Sequence, residues 1–108
     1  MISHVLLIAL LASAQGNLAA ARTSYSKCLG SFTRAQVREK VDEAAFTAKL
    51  ATACKTEEAT FRSASIAVDV AAKIARATAE RNAQEEIGYI HENALETFKT
   101  ALAPEPPK

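Results

Sequence analysis

The stretch that decides the fold is TEEATFRSASIAVDVAAKIARATAERNAQEEIGYIHENALETFKTAL, Thr56 to Leu102, which holds no proline and a single glycine, Gly88. Its apolar residues fall at helical intervals: Phe61, Val68, Ala72, Ala75 and Ala79 on one stripe, Ile66, Val70, Ile74 and Ala77 on another, then Ile87, Ile90, Ala94, Phe98 and Leu102. Thr56 is placed to cap the start, and Glu57 and Glu58 fall in the first turn, where carboxylates meet the positive end of the helix dipole. The pattern predicts one long helix of about 45 residues, with Arg81-Asn82 and Gly88 as the places where it would bend or break. An apolar face this wide needs more than one neighbour to cover it.

Those neighbours lie upstream. Tyr25, Cys28, Leu29 and Phe32 recur at one-turn spacing, which predicts a first helix over about Ser24 to Arg38 with Ser24 as its cap and Gly30 inside it. A second start is written at Thr33, where Thr33-Arg34-Ala35-Gln36 reads as a capping box and Phe32 can staple onto Val37. Asp42 caps a further segment, about Glu43 to Cys54, in which Phe46, Leu50 and Cys54 stand four residues apart. The expected fold is therefore all-α: about three helices over residues 22–103, two shorter N-terminal helices packed on a long C-terminal one. The tail Pro104-Glu105-Pro106-Pro107-Lys108 cannot continue a helix and is expected to be disordered.

Residues 1–21 carry no Lys, Arg, Asp or Glu, and the apolar run Val5 to Ala12 is followed by small residues. This reads as a signal peptide, too short to span a bilayer, with cleavage after Ala21 preferred to cleavage after Ala14. An exported chain meets an oxidising compartment, where Cys28 and Cys54 most simply form one intramolecular disulfide. That bridge matters because a chain of 108 residues, 49% apolar but rich in alanine and with no Trp, builds only a thin core. The expected location is the periplasm or the medium.

Charge is unevenly spread. Arg22 to Lys40 carries a net +4 and Glu80 to Glu105 a net −4, which predicts antiparallel docking of the first helix near the last. Glu58 with Arg62, Asp69 with Lys73 and Arg81 with Glu85 stand at ion-pair spacing on solvated faces. Five dispersed cations without interleaved aromatics do not make a nucleic-acid surface.

Chemistry-bearing residues are few. The segment after Ala21 has one histidine, His91, whose helical neighbours are Glu92 and Glu96, and Gly88 occupies the position a Glu-x-x-His metal pair would need. There is no Cys-x-x-Cys-His for haem and no glycine-rich phosphate loop. No catalytic residue, metal or cofactor is expected, and Cys28 and Cys54 are assigned to the disulfide alone. The segment from Cys28-Leu29 through Phe46, Leu50, Cys54, Glu57-Glu58 and Phe61-Arg62 resembles small secreted bacterial helical proteins of unassigned function. The likeness covers Tyr25 to about Glu96 and implies a disulfide-bonded helical build with no activity attached.

The expectation is a noncatalytic exported interaction module with an unidentified protein partner, no nucleic acid and no stable membrane insertion once the leader is cut. The alternatives are a homo-oligomer assembled through the long apolar-faced helix and, behind it, a metal protein or enzyme centred on His91 and its neighbouring Glu residues. Peripheral membrane association is disfavoured by the acidic C-terminal half.

Overall fold

A run of alanines and straight-chain residues without proline lets a helix, once nucleated, extend turn by turn. The N-terminal third of the chain does this without interruption. The computed structural model describes the backbone over residues 2–103 and the side chains from residue 12 onward. Within that range it is all-helical, with no strand and four helices: α1 Ile2–Glu39, α2 Glu43–Leu50, α3 Lys55–Ala71 and α4 Arg76–Leu102. The proline-rich tail lies outside the described residues, as do the side chains of the apolar run as far as Leu11.

Contacts fix the topology. Arg22 meets Phe61, Tyr25 meets Glu58 and Cys28 bonds Cys54, so α1 and α3 are antiparallel. Glu58 meets His91 and Asp69 meets Asn82, so α3 and α4 are antiparallel too. Therefore α1 and α4 run parallel, with Arg22 on Glu86 and Tyr25 on His91. The expected antiparallel docking of the first and last helices is corrected: one opposite-charge pair meets, Arg22 with Glu86, but an extra reversal of the chain turns α4 round.

That reversal breaks the predicted long helix at Ala72–Ala75, ahead of both expected sites, Arg81-Asn82 and Gly88. Lys73 adopts a left-handed conformation at φ 71°, with its N–H on the carbonyl of Val70 and the Ile74 N–H on the carbonyl of Asp69. This double bond pattern closes a helix C-terminus, usually with glycine at the left-handed position. The same device ends α1: Lys40 sits at φ 54°, its N–H on the Val37 carbonyl, with Val41 N–H on Gln36. Folding the long segment into a hairpin brings Ile66 against Ala79 and Ala83 and buries all three.

The other boundaries also shift. Ser24 and Thr33 lie inside α1 and do not cap it, because the upstream turns are already helical. Asp42 does cap α2, its Oδ1 accepting from the Ala45 N–H at 2.7 Å. Helix α2 stops at Leu50 rather than Cys54: residues 51–54 form a turn and Cys54 itself is left-handed, φ 56°. Cys54, not Thr56, occupies the cap position of α3, while Glu57 and Glu58 fall in its first turn as expected.

The core joins all four helices: Ala21, Tyr25 and Leu29 of α1, Phe46 and Leu50 of α2, Phe61 of α3, and Ile87 and Phe98 of α4. Phe46 stacks on Phe98 at 4.2 Å between ring centroids, and Tyr25 tilts against Phe61 at 5.7 Å. Four aromatic rings thus supply the large side chains of an alanine-rich interior. A smaller cluster, Ile66, Ala79 and Ala83, closes the hairpin end.

Candidate functional site

The polar centre of the protein assembles from three helices. Tyr25 is placed by the apolar stripe of α1, Glu58 by the first turn of α3, and His91 by α4 one turn beyond buried Ile87. Tyr25 Oη donates to Glu58 Oε1 at 3.2 Å and lies 3.0 Å from His91 Nε2, which is itself 3.2 Å from Glu58 Oε1. A carboxylate oxygen only accepts, so the Tyr25 hydroxyl supplies the proton of its bond to Glu58. The role of His91 Nε2 in the triangle, donor or acceptor, follows the imidazole tautomer.

Arg62, one turn on, brings its guanidinium to 3.9 Å from Glu58 Oε2 and donates to Gln84 Oε1 at 2.9 Å. Burial, the Glu58 charge and the hydrogen bond to Glu58 all push the Tyr25 hydroxyl well above the ordinary tyrosine range, with Arg62 opposing. Tyr25 therefore stays a donor. Arg22 closes the same junction from outside: it binds Glu86 at 2.9 Å and lays its guanidinium 5.4 Å from the Phe61 ring centre.

The alternative centred on His91 with Glu92 and Glu96 is not the grouping the structure assembles. Glu92 is exposed, and Glu96 pairs with Lys99 at 3.5 Å. Of the predicted surface pairs Glu58–Arg62 forms, whereas Asp69 accepts from Asn82 at 3.2 Å and Arg81 donates to Thr78 at 3.3 Å. Lys73 has left the helix for the turn. Tyr25 was legible only as a core residue and Glu58 only as a first-turn acid, since the partners of Tyr25 stand 33 and 66 positions away in the chain.

The cysteines behave as assigned. Cys28 and Cys54 are joined in a disulfide, S–S 2.05 Å, that ties the middle of α1 to the start of α3. One open groove, about 860 Å³, runs between the early part of α1 (Ser13, Ala14, Asn17, Ala20) and α3 (Thr60, Ala67). A second, about 380 Å³, lies between α1 and α4 beside Gly30, Thr33 and Asn93. Neither is lined by Tyr25, Glu58 or His91, so neither leads a substrate to the polar triangle. No helix of the described residues is long and apolar enough to cross a membrane.

Fold and site together define a disulfide-bonded all-α domain with a partly buried Tyr–Glu–His hydrogen-bond junction. No protein-family model, no curated protein and no solved structure matches the chain.

Proposed function

We propose that this chain is a noncatalytic exported helical module that acts through its surface. The observation that carries the reading is the Cys28–Cys54 disulfide, a bond suited to an oxidising compartment and placed where it braces the junction of α1 and α3. The polar side chains best equipped for acid–base chemistry are occupied with one another, Tyr25 being 1% exposed. The exposure pattern agrees with loss of a leader: between residues 12 and 21 only Ala21 belongs to the core and only Ala14 and Leu18 are half-buried, so cutting after Ala21 removes little of the described core.

The homo-oligomer reading keeps some support in exposed Val70, Ile74, Tyr89 and Leu102. It loses its original footing, because the wide apolar face folds back on itself at Lys73. Intact mass with and without reduction, together with light scattering on protein recovered from the export fraction of its native host, tests both. The expected result is a monomer beginning at Arg22 and two protons lighter than its reduced form. An unprocessed chain, or one with two free thiols, would defeat the export reading; a stable oligomer would favour the second.

A further inference from the structure

Glu57 has no evident work in the oxidised protein. It is half-buried and takes part in none of the ion pairs or side-chain hydrogen bonds among the described residues. Yet one of its carboxylate oxygens and the two sulfurs of Cys28 and Cys54 all lie within 4.8 Å of one another. A disulfide has no proton to give a carboxylate. Two thiolates and a carboxylate, by contrast, are a ligand set for a borderline cation, Zn²⁺ above all.

We propose that the reduced chain binds one Zn²⁺ ion through Cys28 Sγ, Cys54 Sγ and a Glu57 carboxylate oxygen, with water as the fourth ligand, and that forming the disulfide expels it. Tetrahedral zinc at Zn–S distances of about 2.3 Å holds two sulfurs roughly 3.8 Å apart. The Cα atoms of Cys28 and Cys54 are 6.0 Å apart, so side-chain rotation can open the bonded sulfurs to that separation. Glu57 also lines the groove between α1 and α3, which leaves water and a cation an approach.

The electron count closes. A dithiol reductant breaks the Sγ–Sγ bond, becoming its own disulfide and supplying two electrons and two protons. The two thiols then release those protons to solvent as two metal–sulfur bonds form. In the reverse direction a disulfide oxidant takes two electrons from the two thiolates, the Cys28–Cys54 bond reforms, and the cation leaves with its water. On the export reading the chain passes through reducing surroundings before its bridge exists, and the ion would brace the same α1–α3 junction there. The binding itself does not depend on that reading.

The test is Co²⁺ titration of the full chain, reduced and freed of reductant under anaerobic conditions, followed by Zn²⁺ displacement. Expected are a thiolate-to-cobalt charge-transfer band and the visible bands of tetrahedral Co²⁺ at one equivalent, absent from the oxidised chain and from Cys28→Ser. Glu57→Gln should weaken binding at least tenfold while circular dichroism of its oxidised form stays unchanged. Absence of the bands in the reduced chain at excess Co²⁺, whether that chain is helical or unfolded, overturns the proposal. So does Glu57→Gln binding with unaltered affinity.

Discussion

At the scale of single residues, the junction of Tyr25, Glu58 and His91 makes predictions that a bland core would not. Tyr25→Phe keeps the ring against Phe61 and removes only the hydroxyl, so unfolding by denaturant should show a loss of about 1 kcal/mol. The same variant should change the alkaline limb of the stability curve. Because the folded-state pKa of Tyr25 is raised, its contribution is complete below the unfolded tyrosine value of about 10 and is lost as pH climbs beyond it. Stability of the parent chain should therefore fall above about pH 10, and Tyr25→Phe should flatten that decline. Equal slopes in the two proteins would mean that Tyr25 ionises as freely folded as unfolded.

At the scale of elements, helix ends decide the architecture, and two of them depend on lysines in a backbone conformation that glycine adopts more readily. Lys73→Gly relieves the left-handed strain in the α3–α4 turn and should raise unfolding stability by about 0.5–1 kcal/mol. A destabilised variant would show that the Lys73 side chain contributes more than its backbone costs. Asp42→Ala removes the only side-chain cap found for α2 and should cost about 1 kcal/mol in the same assay. The cap of α2 was readable because Asp before a hydrophobic run is a local signal. The break at Lys73 was not, because no glycine or proline marks it, whereas the end of α1, read at about Arg38, falls at Glu39. The cause of both turns is burial gained elsewhere: Val41 packs on the core beyond the first turn, and Ile66 meets Ala79 and Ala83 beyond the second.

At the scale of the whole molecule, a 65 × 28 × 24 Å body is held by a few aromatic rings and one cross-link. The bridge closes a sequence separation of 26 residues, so the Cys28→Ser, Cys54→Ser pair should lower stability by about 3.5 kcal/mol, read from thermal or denaturant unfolding. That is a large share of what so thin a core supplies. The N-terminal half of α1 should matter far less. A chain starting at Arg22 retains Tyr25, Leu29, Phe46, Phe61, Ile87 and Phe98, and should keep the dichroism of α2–α4 and a cooperative transition. Loss of that transition would make residues before Arg22 part of the folding unit.

Fold class, the cystine pair and most of the core were legible from periodicity and composition, because apolar residues at helical spacing must share a face whatever they meet. Tyr25, Leu29, Phe46, Leu50, Phe61, Ile87 and Phe98 were all marked in this way, and all are buried. Local chemistry also named the Asp42 cap and the first-turn acids of α3. Only the tertiary structure decided that α1 runs on from Ile2, that the long segment turns at Lys73, that α4 lies parallel to α1, and that His91 faces Glu58 rather than Glu92 or Glu96. Each of these depends on free energy gained between residues far apart in the chain, and no window of sequence contains both partners.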